Sequence, residues 1–422
     1  MYRAICCVVI YVFKISSIES NNNPIMEEKI VIRNFGPVKD LEVTIRAFTI
    51  FIGSQGSGKS TVSKVLTICR DYNWFLQILD NNENVLEPFK KFGIDEYFHD
   101  DTYIHYHHPQ DEIDVEYREG TFNVKIDSLS SIDARKVVSD KILDANKDFL
   151  LQMGVVDINQ PGIEDKYGHL LQANARTMLY IPAERNMAGM LSTSLASMIA
   201  NKIPIYDSLI EYMSVFEKAK ATLKEYYVPF LNVSFAIKDG LEKVWLGKDN
   251  DKHEPLPLPS CSSGLQSVLP LLMSIDYSLK TRCFDNFAIE EPEQNLFPSN
   301  QRELLYYLVR LYNQTETYGM VLTTHSPYTL SCMNTMMLAG KIALYYPDLR
   351  SEVIKIVGEN NYLSPEQVAV YKLDPQSEKY CEDLKNQKTH LISLNSLDAV
   401  SERIGEEYDK LFEIYLKELR KK

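Results

Sequence analysis

The sequence predicts an α/β fold organised around one phosphate-binding loop, and three observations predict it. An apolar run, Phe48 to Ile52, enters the glycine-rich stretch Gly53-Ser54-Gln55-Gly56-Ser57-Gly58-Lys59-Ser60, and Val62, Val65, Leu66 and Cys69 then recur at helical spacing. A second apolar run, Asn286 to Ile289, stops at two adjacent carboxylates, Glu290 and Glu291. A third, Gly319 to Thr324, stops at His325. Buried strands that alternate with helices form a parallel sheet, whose ligand contacts gather at the carboxyl ends of the strands.

The glycine-rich stretch fits G-x-x-x-x-G-K-[ST] with a strand before it and a helix after it, which is the context the motif requires. Glycines let backbone N–H groups converge on phosphate oxygens, and the helix N-terminus adds unpaired donors and a favourable dipole. Gly53, Ser54, Gln55, Gly56, Ser57, Gly58, Lys59, Ser60 and Thr61 are therefore the expected nucleotide-binding set. Lys59 is expected to reach the β- and γ-phosphates, and Ser60 to offer its hydroxyl to Mg²⁺, a hard cation that takes oxygen ligands.

Ahead of this loop, Ala4 to Phe13 is an apolar run too short to span a bilayer, and Met26 directly precedes the first strand pattern. Residues 1–25 are expected to be a disordered tail or a mis-assigned start. From Lys29 to Gly53 three short β-patterned runs predict a small sheet leading into the loop. Beyond the first helix, Tyr103 to His107, Ile113 to Glu116 and Thr121 to Ile126 read as strands. His105 and His107 share one face there, read as a polar strand edge and not as a metal site.

Helical periodicity over Ile132 to Met153 and Ile205 to Tyr227 predicts a mainly helical insertion spanning 131–257, between head segments 26–130 and 258–422. Within it, Thr177 to Asn186 reads as a strand that stops at Pro182 and exposes Glu184 and Arg185. Arg185 is a candidate for coupling nucleotide or arm, beside the simpler reading of a surface ion pair.

The chain carries 45 Lys plus Arg against 58 Asp plus Glu, a net charge of −13, so nucleic acid is not an obvious passive ligand, although a local basic groove stays open. Seven cysteines without a C-x-x-C pair suggest neither a zinc ribbon nor a disulfide framework, which fits a reducing cytoplasm.

Downstream, Ser262, Ser263 and Gly264 precede an apolar helix face at Leu265, Val268, Leu269 and Leu272, in which Pro270 is expected to place a kink unless the helix starts later. Adjacent carboxylates after a strand suit phosphoryl transfer to water, with Glu290 assigned to the metal and Glu291 to the attacking water. His325, at the end of a neighbouring strand, is placed to bond a γ-phosphate.

Taken together, GSQGSGKS, CSSGLQ, FAIEEPEQNLFP and TTHSPYTL resemble the ABC-type ATPase domain in its SMC-like and OLD-like branches, closely over about residues 28–70 and 258–335. The resemblance maps Walker A to Gly53 through Ser60, the signature to Ser262, Ser263 and Gly264, Walker B to Phe287 through Glu291, and the switch histidine to His325. Two departures stand out: Glu290 replaces the usual Asp, and Ser262 and Leu265 replace the usual leucine and second glycine of the signature. Gln152, Gln160 and Gln172 each stay open as the Q-loop residue.

The resemblance implies a P-loop head with an inserted helical arm, and ATP and Mg²⁺ as ligands. It also implies catalysis by Glu291, His325 and Lys59, and a homodimer in which each signature completes the partner's ATP site. No Asp-x-Asp pattern with an upstream Glu follows the head, so nuclease activity is expected from a separate effector nuclease or toxin, in anti-phage defence or DNA repair, with DNA a possible ligand and no membrane partner. A nucleotide-gated scaffold with little turnover is the competing reading, and a transporter ATPase a third. A GTPase is disfavoured, since Asn146-Lys147-Asp148 lacks the spacing of a base-reading motif.

Overall fold

A computed structural model of the protein describes residues 28–71, 74, 78, 85–108, 111–128, 177–191, 201, 205–238, 240–248, 254–315, 317–393 and 406–412. The chain begins with a hairpin of β1 (Glu28–Phe35) and β2 (Val38–Ile45), then runs through β3 (Phe48–Gly53) into α1 (Lys59–Cys69). After the short α2 (Glu87–Lys91) come β4 (Phe98–His108), β5 (Asp111–Arg118), β6 (Thr121–Ser128) and β7 (Met178–Ile181). Helices α3 (Asn186–Leu191) and α4 (Asp207–Leu223) lead to β8 (Glu225–Val228), β9 (Val233–Lys238) and β10 (Leu241–Leu246). The second half alternates: α5 (Ser263–Thr281), β11 (Asn286–Glu290), α6 (Pro298–Gln314), β12 (Gly319–Thr324) and α7 (Pro327–Tyr345). It ends with α8 (Arg350–Val357), β13 (Val368–Leu373) and β14 (Cys381–Asp383).

The central sheet has the order β14-β13-β3-β12-β11-β7, parallel apart from the edge strand β14. Its parallel strands are largely buried on both faces, the pattern of a parallel sheet covered on both sides. Phe48, Ile50, Ile181, Phe287, Ile289 and Leu322 pack into a core shared with α4, α5, α6 and α7. Phe51, Tyr180, Ala288, Val321, Ala369 and Tyr371 face the opposite way, toward α1 and the antiparallel sheet β2-β1-β4-β5-β6.

That antiparallel sheet corrects one expectation. The three runs from Lys29 to Gly53 do form strands, but β1 and β2 join β4, β5 and β6, whereas β3 alone enters the central sheet. The burial pattern explains the split. In β2 buried and exposed positions alternate, which suits a sheet with one wet face, while the apolar residues of β3 from Phe48 to Phe51 leave no wet face. The pairing of β1 with β4, Ile32 opposite Ile104, is non-local and could not be read from either run.

The predicted helix over Ile132 to Met153 lies outside the described residues, as do Gln152, Gln160, Gln172 and the first 25 residues. The predicted helix over Ile205 to Tyr227 is shorter: α4 ends at Leu223, Lys224 turns at φ 55°, and Tyr226 and Tyr227 belong to β8 of a three-stranded antiparallel sheet. A segment expected to be mainly helical thus carries four strands among its described residues, β7 to β10. Helix α5 runs through Pro270 from Ser263 to Thr281, starting before the proline and not after it.

A buried polar pin fixes the ends of these layers opposite the loops. Arg70, capping α1, donates to both oxygens of Glu28 on β1 (2.8 and 2.6 Å) and to Oδ1 of Asn286 at the start of β11 (3.2 Å). Tyr106 on β4 donates to the same carboxylate at 2.8 Å. Burial raises the Glu28 pKa, but Arg70 and Tyr106 overcome it and hold the carboxyl below its usual range.

Candidate functional site

The loop after β3 takes its shape from its glycines. Gly56 (φ 72°) and Gly58 (φ 91°) lie in the left-handed region, and Gly58 is the N-cap of α1. The loop is backed by the β13–β14 connection: the Tyr380 hydroxyl donates to the Ser57 carbonyl (2.5 Å), and a Cβ on Gly53 would stand 2.3 Å from the Leu373 carbonyl oxygen. Lys59, 5% exposed, curls back over the loop and donates to the carbonyls of Gly53 and Ser54, both at 2.9 Å. Burial pulls its pKa down, against the charges of Glu291, Glu290 and Glu293. An ammonium held among main-chain groups at a helix N-terminus is suited to a polyphosphate.

Strand β12 lies between β3 and β11, so the three carboxyl ends stand in a row, with Glu290 opposite Thr323 and Thr324 opposite Ile52. That register brings Glu290, Glu291 and His325 beside the phosphate loop. Glu290 is buried, and burial raises its pKa against the pull of the Ser60 and Tyr180 hydroxyls and the Lys64 charge. Its Oε2 accepts from the Ala183 N–H at 3.4 Å, while its Oε1 is buried and accepts no hydrogen bond. A buried carboxylate oxygen without a partner, facing the exposed Ser60 hydroxyl, is an oxygen-donor set that fits Mg²⁺. Among the described residues no group of three or more His, Cys, Asp or Glu side chains could hold a metal alone, so waters and phosphate oxygens would complete the shell.

Glu291 is partly exposed and has φ 42°, a left-handed backbone at a residue other than glycine. Its Oε1 lies 3.3 Å from His325 Nε2. Glu293 braces this pair from below, its Oε1 accepting from Thr324 Oγ1 (2.6 Å) and from the His325 N–H (3.0 Å).

The signature residues stand elsewhere. Ser262 is the N-cap of α5, and Ser262 and Ser263 are exposed. Helix α5 packs on α3 and α4, whereas α1 packs on β3, β7, β11 and β12, so the helix that begins with these serines and the helix that follows the phosphate loop lie on opposite faces of the central sheet. Arg185 is corrected most. It is 0% exposed, and its guanidinium binds main-chain carbonyls of the acidic turn instead of facing solvent. The signal that could have marked it, an arginine just after the β7 strand, was present, but its partners come from a segment about a hundred residues later. His105 on β4 lies 2.9 Å from Asp114 and 3.4 Å from Glu112 on the paired strand β5.

A family model described as "AAA ATPase domain" matches residues 26–154 and 154–330. No curated protein matches the sequence. Among solved structures, an SMC head bound to the C-winged helix domain of ScpA is similar at 11% identity and TM-score 0.38, covering 72% of this chain and 92% of that one. The SMC head domain from Thermotoga maritima is similar at 10% identity and TM-score 0.37, covering 73% and 92%. An Smc head domain with an extended coiled coil, bound to the C-terminal domain of ScpA derived from Pyrococcus furiosus, follows at 12% identity and TM-score 0.35, covering 72% and 91%.

Proposed function

Because the chain belongs to the AAA ATPase domain family, we propose that it binds ATP with Mg²⁺ at the loop after β3 and hydrolyses it to ADP and phosphate. The observation that carries this reading is the row of strand ends that sets Lys59, Glu290, Glu291 and His325 around one space. In it, main-chain N–H groups from Gly56 to Ser60 and the Lys59 ammonium hold the β- and γ-phosphates. Ser60 and Glu290 hold Mg²⁺, which when bound neutralises charge on the phosphate oxygens. Glu291 orients the attacking water and takes its proton, and His325 bonds a γ-phosphate oxygen while fixing the Glu291 carboxylate.

The reading extends to a homodimer. Ser262 and Ser263 are exposed at the N-terminus of α5, and α5 packs on the opposite face of the central sheet from α1, which supports a role for Ser262, Ser263 and Gly264 at the ATP of a second copy. ATP would close the pair and hydrolysis would open it. The task so gated is control of a nucleic-acid-related partner, a separate effector nuclease or toxin, in the cytoplasm and in defence or repair. Among the described residues no helix is long and apolar enough to cross a membrane.

The test is ATP hydrolysis by the wild type beside Lys59→Ala and Glu291→Gln, with and without double-stranded DNA, with mass followed by light scattering. Each change is expected to lower turnover by about a hundredfold or more, the range for losing a positioned catalytic group. Glu291→Gln is expected to trap an ATP-bound dimer. Turnover that survives both changes would overturn the assignment, whereas ATP binding without wild-type turnover would favour the gated scaffold.

A further inference from the structure

We propose that Arg185 is the positioning residue that holds the Glu290–Pro292 turn in its working shape and ties it to the helix bearing Ser262, Ser263 and Gly264; this rests on the ATPase reading above. The Arg185 guanidinium makes its hydrogen bonds to backbone carbonyls. Nη1 donates to Glu290 O (2.6 Å) and Pro182 O (3.3 Å), and Nη2 donates to Glu291 O (2.6 Å) and Pro292 O (3.4 Å). Three consecutive carbonyls, Glu290 to Pro292, therefore converge on one cation. Their dipoles point the same way, so without a cation they would repel, and the backbone between them carries the left-handed Glu291. A planar fork of donors can bridge several acceptors at once, as a lysine ammonium at the end of a flexible stem cannot.

Burial pulls the Arg185 pKa down, while Tyr212 on α4 and the carboxylates of Glu293, Glu291 and Glu290 act the other way.

The segment carrying Arg185 also meets the signature helix. Two residues earlier, the Ala183 N–H reaches the Glu290 carboxylate itself. Four residues later, Gly189 of α3 lies against α5, where a Cβ would come within 2.8 Å of the Gln266 carbonyl oxygen. That carbonyl is the one whose helical donor is missing, because its i+4 residue is Pro270. The Gln266 side chain donates to the carbonyls of Pro259 (2.8 Å) and Cys261 (3.0 Å), shaping the loop just ahead of Ser262. Gly264 closes the ring: a Cβ there would stand 2.8 Å from the carbonyl oxygen of Asn295, at the far end of the acidic turn. Turn, Arg185 segment and signature helix thus form one contiguous set of contacts, through which a shift at the γ-phosphate can reach the exposed serines.

The experiment uses the full chain with Arg185→Lys, which keeps the charge and removes the fork, and Gly189→Ala, which keeps the clamp and separates α3 from α5. Three quantities are read: kcat for ATP hydrolysis, ATP affinity, and amide hydrogen exchange over residues 290–297. Arg185→Lys is expected to lower kcat on the order of tenfold to a hundredfold, the scale of a misplaced catalytic group. ATP affinity should stay within about twofold, since the phosphate loop is untouched. Exchange should rise in 290–297 and not in α1. For Gly189→Ala, exchange should rise at the start of α5 with 290–297 less affected.

Unchanged exchange in 290–297 in Arg185→Lys would overturn the proposal, as would kcat and ATP affinity falling together with a lowered melting temperature, the mark of a merely structural role. Raised exchange with wild-type kcat would overturn the catalytic part. Exchange is read without turnover, so it decides the clamp even if the wild type proves not to hydrolyse ATP, an outcome that would count against the ATPase reading alone.

Discussion

Two loops leave β3 and β11, the strands on either side of β12 in one sheet, at the same end, and they keep their shapes by different means. The phosphate loop after β3 places glycine at its left-handed positions, Gly56 and Gly58, so its conformation costs little and follows from local sequence. The acidic turn after β11 places Glu291 and Asn295 in that region, at φ 42° and 61°. A glutamate there is strained by about 1–2 kcal/mol, and something outside the turn must hold it. Arg185 on three carbonyls, the Glu291 N–H on Thr323 O (2.8 Å) and Thr324 on Glu293 supply that hold. One loop is encoded where it stands, the other by distant residues.

The largest expected effect comes from the part both loops share. Arg70 joins the end of α1 to the start of β11, so it lies behind both loops at once. Arg70→Met would leave the buried Glu28 carboxylate unpaired and is expected to lower stability by about 3–5 kcal/mol, read by urea denaturation. Both loops should loosen together in hydrogen exchange, and loss confined to one would break the idea of a common anchor. The pH dependence has a definite sign. The Glu28 carboxyl is held below its usual range in the folded state, so its contribution is complete above about pH 4.5 and is lost as pH falls through its folded pKa. Glu28→Gln should flatten that part of the acid-denaturation curve while lowering stability at neutral pH.

The same contrast explains what the sequence disclosed. The strand Phe48 to Gly53, the helix after it and the runs ending at Glu290 and Thr324 were legible because each carries its own periodicity and its own terminator. Which sheet a strand joins was not legible: β1 precedes β3 in the chain yet pairs with β4, carrying β2 at its other edge, a choice made by partners about seventy residues away. Strand β8 escaped because the heavy helical patterning of α4 runs on into Tyr226 and Tyr227, and only the turn at Lys224 breaks it. Arg185 was visible as a charge after a strand, but its burial and its three carbonyl partners belong to the tertiary structure alone.

A middle-sized effect tests the locally encoded loop. Gly58→Ala would place a Cβ at φ 91°, 2.6 Å from the Tyr380 hydroxyl and 3.0 Å from a Val38 methyl. The strain is expected to cost about 1–3 kcal/mol. If it falls on the nucleotide-ready form of the loop, ATP affinity drops about tenfold or more, measured by equilibrium titration. Exchange in 290–297 should not change. A rise there would show that the acidic turn leans on the phosphate loop, and the two would no longer count as separately held.

The smallest effect asks whether the phosphate loop is as self-sufficient as its glycines suggest. Tyr380 is 5% exposed and donates to the Ser57 carbonyl, a tertiary hydrogen bond placed under the loop comparably to Arg185 under the acidic turn. Tyr380→Phe keeps the ring and removes that bond, so the expected cost is about 0.5–1.5 kcal/mol. Because Gly56 and Gly58 already select the loop's shape, most of this should appear as a few-fold weaker ATP affinity with kcat unchanged. Arg185→Lys is expected to give the reverse, kcat lost and affinity kept. If Tyr380→Phe instead lowers kcat as Arg185→Lys does, the phosphate loop also depends on a distant clamp, and the division between a locally written loop and a borrowed one fails at its stronger half.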